Sequence, residues 1–476
     1  MSFISEASFG PDIESTKTNG QFREASSRAR HDRSAAAFIP DFRHPSGRLV
    51  AGISILWLFI AVIALWRGPA MSDHEVIVAQ TARQSIETNT WIVPHYLDTP
   101  FLVKPPMPAW LVGLATETAN AIGGRFGLSS DGAPVNVFTA RLPSFLATLV
   151  TILVLFRLAQ ATYDRRTASI AAFLYASSLG ALLYAYNATA EALLTLFSTW
   201  AFAEFWHAQT AGTANGRRFH MCFFYVAFGL AMLAKGPMPL MLVATPIAVW
   251  WWCNRPARLL AAGGIQRAGT AIGFGVRDSW ARLRKALSTL GLWWGVPIFL
   301  AMFVPWMIAV ARRVPYAWHL WNYEYLDRLQ GDYPGCETGQ YYYYLPIIMG
   351  LMVPWLLSMP EALAAPFLNK YRRDRKPLMF AWFWVIVGTA IMSMMSFKKP
   401  YYIVPVLPGC ALLLAPVIRG FFLPLPARAS VKCESPSTEY WPCGPWSGPP
   451  CGLWRAKNIP KSGPATSHCI RRFLCC

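Results

Sequence analysis

The side chains of this chain that could do chemistry are few and clustered. Residues 72–75 read SDHE and follow soon after a long apolar block. A carboxylate there can take a proton from a hydroxyl or stabilise a developing cation, and an acid beside a membrane helix end is costly unless it is solvated or used. Asp73 and Glu75 are therefore the candidate bases, and the alternative is a pair of solvated loop acids. Lys104 is the sole lysine of residues 67–137 and stands between an apolar run and two prolines that stiffen its turn. It is the best candidate to bind an anionic group, against the plainer role of a snorkelling interfacial lysine. Glu191 opens an apolar segment after YNATA, where it can touch a substrate or simply complement a helix dipole. Tyr402, next to Tyr401, borders another apolar segment and can contact a phosphate or anchor the chain at an interface.

The elements that must position these groups are membrane helices. Of 476 residues 54% are hydrophobic and only 14% charged, against about 25% charged in soluble domains. The apolar residues come in long blocks such as GISILWLFIAVIALW at 52–66. A bilayer core of about 30 Å needs about 20 such residues in a helix, and only a helix satisfies its own backbone there. We expect an all-α integral membrane protein with about ten spans, near 50–66, 138–158, 167–185, 190–207, 221–235, 237–253, 290–311, 343–364, 378–396 and 402–424.

With the N-terminus inside and every span crossing once, the inner segments carry 24 Lys and Arg and the outer ones 10. That asymmetry fits the positive-inside rule, since the inner and outer segments are of similar total length. The large first outer loop is 67–137. Within it 76–87 can form an amphipathic helix lying along the interface, 107–124 a second interfacial or re-entrant helix, and 91–106 an extended, proline-punctuated stretch between them. Both larger outer loops are rich in Asp and Glu, so chemistry that needs a carboxylate is expected on the outer face.

The net charge of +19 would suit a nucleic-acid partner, but the basic residues sit in short loops between apolar blocks. We therefore expect membrane lipids as partners and no nucleic acid. Residues 1–49 read as a disordered cytoplasmic tail and 50–424 as the membrane domain. Residues 425–476 are rich in Pro, Cys, Trp and Gly, and their six cysteines lack any standard zinc spacing. This tail is expected to be unstructured, with the composition of an aberrant, out-of-frame stretch.

A series of short motifs then carries a resemblance. SDHE (72–75), LVKPPMPAWL (102–111), RLPS (141–144), TAEALLT (189–195), AKGP (234–237), PW (305–306), EYLDRL (324–329), YYYYLPIIMGLMVPW (341–355) and SFKKPYYIVPVLP (396–408) follow one another in order. Over roughly 50–420 this order resembles the GT-C glycosyltransferases, in particular the aminoarabinose transferase and protein O-mannosyltransferase group. The resemblance implies a helical bundle under a first outer loop with interfacial helices, a polyprenyl-phosphate sugar donor, and transfer with inversion to a lipid, protein or glycan acceptor on the outer face. It implies a bacterial inner membrane location, with Arg328 and Lys398 as further cations beside Lys104. Counting back from Ala82-Arg83, Glu75 matches the family's second acid and His74 falls where its Asp is expected, with Asp73 one residue early. Lys235 begins a tight Gly-Pro turn and is expected to be structural as readily as functional.

Some members of this group hold a metal with a Glu before the lysine of Lys-Pro-Pro and a His after the Glu of the later motif. Here those positions are Val103 and Tyr325, so no metal and no cofactor is expected, and the aminoarabinose activity itself is in doubt. The competing readings are a polytopic transporter or lipid flippase, whose usual marks of matching halves and midplane charges are missing, and a non-catalytic scaffold.

Overall fold

The computed structural model describes residues 70–125, 135–253, 290–327, 339–396 and 398–422, with the isolated positions 52, 55, 59 and 63. Those four positions are helical and are all that is described of the first expected span. Both terminal segments and Arg328 lie outside the described residues.

Residues 70–125, within the expected first outer loop, form two helices joined by a hairpin. α1 (Asp73–Thr88) starts at a capping box, with the backbone N–H of Ser72 donating to Glu75 Oε2 at 2.9 Å. The strands β1 (His95–Tyr96) and β2 (Thr99–Pro100) pair antiparallel around Leu97 and Asp98, both left-handed at φ 51° and 62°. Gln84 Nε2 donates to Asp98 Oδ1 at 2.9 Å, which ties the hairpin tip to α1. α2 (Met107–Arg125) follows the Lys-Pro-Pro turn. The expected extended stretch is thus a small hairpin, and both expected loop helices are present.

The bundle then begins with α3 (Val137–Thr162), capped where Thr139 N–H donates to Asn136 Oδ1 at 2.9 Å. The expected span at 167–185 is divided into α4 (Arg165–Ala176) and α5 (Leu179–Ala185), which meet at 59°. The buried Ser178 hydroxyl accepts from Ala181 N–H at 3.3 Å and so opens a new helix there. α6 (Ala190–Thr210) and α7 (Ala214–Lys235) form an antiparallel pair. α7 is longer than the apolar block that announced it, because Thr213 Oγ1 caps Gly216 N–H and adds two polar turns. A π-helical turn at Leu240–Ala244 leads into α8 (Thr245–Cys253).

α9 (Leu292–Ala311) buries only Gly295 and Val310. Its apolar surface is what a lipid-facing helix presents. α10 (Ala317–Asn322) continues into the π-helical turn Tyr323–Asp327. The span expected at 343–364 is not straight. α11 (Tyr344–Leu351) and the arm Trp355–Phe367, which contains α12 (Met359–Ala364), are bent by 119°. Pro354 stands at the break and has no N–H to continue the helical ladder. α13 (Arg375–Met394) and α14 (Leu407–Phe422), the latter preceded by the 3-10 turn Pro400–Val406, complete the bundle.

Among the described residues, four helices are long and apolar enough to cross a membrane, or six if each bent pair counts as one span. An all-α integral membrane protein is clear, and this count stops short of ten. Prolines and polar residues near the span ends separate an apolar block in sequence from a straight helix in space.

One large core holds the bundle together. Phe202 stacks on Trp384 with centroids 3.9 Å apart, and Phe380 and Trp250 pack edge to face around them. Gly229 lets α7 approach α9 so closely that a Cβ there would lie 2.6 Å from Met302 Cβ. A smaller cluster packs Met107 of α2 against Ala147, Ala192 and Leu233 of α3, α6 and α7. Another packs Leu102 against Val310, Val314 and Trp321. These two clusters flank residue 104 and fix its place.

Candidate active site

A cavity of about 520 Å³ lies against α1 and the Lys-Pro-Pro turn, within the 300–1,000 Å³ typical of small-molecule sites. Ser72 and His74 of α1, Val103 and Lys104 of the turn, Glu191 of α6, Lys235 of α7, Glu324 and Tyr325, and Lys399, Tyr401 and Tyr402 all line it. Three lysines and two carboxylates thus face one space.

Lys104 comes from a loop that is pinned on both sides. Trp110 Nε1 donates to Trp91 O at 2.6 Å, Trp306 Nε1 to Ile92 O at 2.9 Å, and Phe101 N–H to Pro94 O at 2.7 Å. Prolines 105 and 106 then remove two N–H groups and two φ freedoms. The lysine is held at the wall before any ligand arrives.

Lys235 ends α7 and donates to Glu191 Oε1 at 2.5 Å. Its ammonium also lies over the rings of Tyr401 and Tyr402, 4.6 and 4.9 Å from their centroids. Gly236 makes this possible. Its φ of 64° is open to glycine, and a Cβ there would lie 2.9 Å from the Tyr325 ring.

The two candidate bases are not equivalent. Glu75 is 2% exposed and pairs with the fully buried Arg141 of RLPS at 2.8 Å. It also accepts from Ser72 N–H and, at 3.0 Å, from Ala188 N–H. Burial pushes its carboxyl upward, but the hydrogen bonds from Arg141, Ser72 and Ala188 outweigh that and hold it below the usual carboxylate value. It locks α1 to α3 and to the turn before α6, and it does not line the cavity. Asp73 is exposed at the first position of α1 and is also not part of the wall. The residue between them, His74, does line it and meets Tyr401 edge to face at 5.6 Å. Partial burial holds the His74 imidazole below its ordinary value, helped by Lys104, Lys235 and Lys399 and opposed by Glu191.

Glu191 and Tyr402 line the cavity with Lys104. Lys398 does not. Its Nζ donates to Gly339 O at 2.8 Å, while the next residue, Lys399, lines the cavity. Lys399 is extended at φ −134° and ψ 143°, as a residue before proline tends to be, and neighbours along an extended chain point to opposite sides. That alternation was available in Lys-Lys-Pro, as was the pairing of Lys399 with Tyr402 one 3-10 turn on. Lys235, His74 and Glu324 had no such local signal, because distant segments bring them together.

The metal positions of the related group do not fit a metal here. Val103 and Tyr325 both line the cavity, and neither offers a carboxylate or imidazole donor. Among the described residues no three His, Cys, Asp or Glu side chains come together as a metal site.

The helices and cavity are those of an all-α membrane protein, and comparison with known proteins supports a likeness to the GT-C glycosyltransferases. Residues 100–321 match the family model described as dolichyl-phosphate-mannose-protein mannosyltransferase. The undecaprenyl phosphate-alpha-4-amino-4-deoxy-L-arabinose arabinosyl transferase 2 of Proteus mirabilis is 26% identical over 344 residues, covering 72% of this chain and 54% of that protein. The corresponding transferase of Pseudomonas aeruginosa is 26% identical over 75% of this chain and 58% of its own. The chain thus spans little more than half the length of these relatives. In fold it is similar to ArnT from Cupriavidus metallidurans bound to undecaprenyl phosphate, with a TM-score of 0.59 and 22% identity over 77% of this chain and 60% of that one. It is also similar to the Archaeoglobus fulgidus oligosaccharyltransferase, with a TM-score of 0.51 and 14% identity over 79% and 49%.

Proposed function

We propose that this chain transfers a sugar from a polyprenyl-phosphate donor to a hydroxyl of a lipid, protein or glycan acceptor at the outer face of a bacterial inner membrane. The observation that carries this reading is the convergence of Lys104, Lys235 and Lys399 on one cavity. In the reaction the acceptor oxygen attacks the anomeric carbon, and the bond from that carbon to the phosphate oxygen breaks. The phosphate departs with the electron pair and gains negative charge. Cations already in place stabilise that charge without reorganising. Attack opposite the departing phosphate inverts the anomeric centre.

In this reading Lys104 and Lys399 grip the phosphate, with Arg328 as a further cation. Glu191, oriented by Lys235, and Tyr402 contact the sugar. Residues 50–424 form the catalytic unit. It crosses the membrane ten times from a cytoplasmic N-terminus, which puts the cavity outside. The relatives' names point to undecaprenyl phosphate as the carrier. The departures at Val103 and Tyr325 leave the sugar open.

The test is transfer of radiolabelled sugar from a panel of polyprenyl-phosphate sugars in membranes that contain the chain. Transfer by the wild type, lost in Lys104→Ala at equal protein level, is expected. Labelled lipid moved across the membrane with no transfer from any donor would contradict the reading and favour a flippase.

A further inference from the structure

We infer that the imidazole of His74 is the general base of the transfer, in place of a carboxylate at the head of α1. The inference rests on the glycosyltransferase reading above.

The argument starts from which groups at the head of α1 can reach an acceptor. Glu75 is occupied by Arg141, Ser72 and Ala188 and is turned away from the cavity. Exposed Asp73 is not part of the wall. His74 is on the wall, and among the described residues its ring nitrogens make no hydrogen bond. It is exposed, so a proton taken from the acceptor can pass to solvent. The charged groups around it are Lys104 of the turn, Glu191 of α6, Lys235 of α7 and Lys399 before the 3-10 turn, with Tyr401 against its ring. Partial burial and the three lysines, opposed by Glu191, hold the imidazole below its ordinary value and so toward the neutral form a base needs.

A second argument comes from the other carboxylates. Glu191 already accepts from the Lys235 ammonium, and an acid held that way is a poor proton acceptor. Glu324 lies on the wall formed after α10 and is not among the charged groups that act on His74. An imidazole suits this place for an electrostatic reason. A carboxylate in this place would add a further competitor for Lys104 and Lys399, whereas a neutral ring adds none. The step balances simply. The acceptor O–H proton moves to a ring nitrogen as the new C–O bond forms, the C–O bond to phosphate breaks, and the imidazolium then releases its proton to water.

The experiment compares wild type, His74→Ala, His74→Asp and Asp73→Asn in membranes, reading sugar transfer against pH and, separately, binding of radiolabelled polyprenyl phosphate. We expect His74→Ala to lose about 100-fold or more in transfer while still binding the lipid phosphate. We expect His74→Asp to recover at least part of that loss, with the acid limb of its pH profile moved to lower pH. In the wild type that limb should lie below pH 6.5. Wild-type rates in His74→Ala would overturn the assignment and leave the transferase reading standing. So would loss of transfer in Asp73→Asn with normal transfer in His74→Ala. A wild type inactive with every donor would overturn the transferase reading and this inference together.

Discussion

The two ends of the bundle treat charge in opposite ways. α3 is 26 residues long, about 39 Å at 1.5 Å per residue, and it separates them. At the end far from the cavity, Arg419 donates to Asp164 at 3.0 Å, to Thr167 at 2.9 Å and to Asp374 at 2.7 Å, closing the ends of α14, α4 and α13 onto one another. Lys370 pairs with Glu361 at 2.9 Å. At the cavity end the same helices, or the turns that lead into them, bring Met392, Lys399, Tyr401 and Tyr402 to a space shared by three lysines. Charges that serve the fold are spent on one another at one end. At the other end Lys235 pairs with Glu191 as well, but three lysines border one cavity, and the proposed function draws on that difference.

The sharpest way to break this comparison is at a buried structural pair near the cavity, Glu75 with Arg141. Glu75→Ala leaves buried Arg141 without its anion, and losing one partner of a buried pair costs about 3–5 kcal/mol. We expect a large fall in thermal stability in detergent, read by the unfolding midpoint. A normal midpoint with lost activity would instead return Glu75 to the chemistry. The pair also gives the pH dependence its sign. The folded value of Glu75 is depressed, so its contribution is present above its ordinary value of 4.5 and is lost as pH falls through the folded value. Acid unfolding of Glu75→Gln should lack this component.

Gly236→Ala is expected to cost about 1–3 kcal/mol, from its positive φ and its contact with Tyr325. It should also displace Lys235. An unchanged melting profile would contradict the account of the turn. The smallest effect is expected at the far end. Arg419 is partly exposed, and Arg419→Met should cost about 1 kcal/mol with transfer per folded molecule intact. Loss of transfer there, at full folding, would erase the contrast between the two ends.

Much of this was legible from local sequence. Lys104 was readable because its neighbours are prolines and apolar anchors, and Glu191 because it opens a helix. Broken spans were less readable, since Ser178 and Pro354 interrupt blocks that are otherwise continuously apolar. Glu75 was misplaced for a different reason. Its partners Arg141 and Ala188 are 66 and 113 residues away, and no periodicity in α1 announces them. The same holds for Lys235, which reaches the cavity only through a glycine turn and a carboxylate on another helix. Residues that act through local geometry were visible, and those that act through tertiary partners were not.

The most direct test of the central claim is binding of radiolabelled polyprenyl phosphate to the purified protein in detergent, for wild type, Lys104→Ala, Lys399→Ala and Arg419→Met. The account expects saturable, salt-sensitive binding, weakened at least about tenfold in each cavity lysine variant, the equivalent of about 1.4 kcal/mol, and unchanged in Arg419→Met. Equal binding by all four proteins would contradict it.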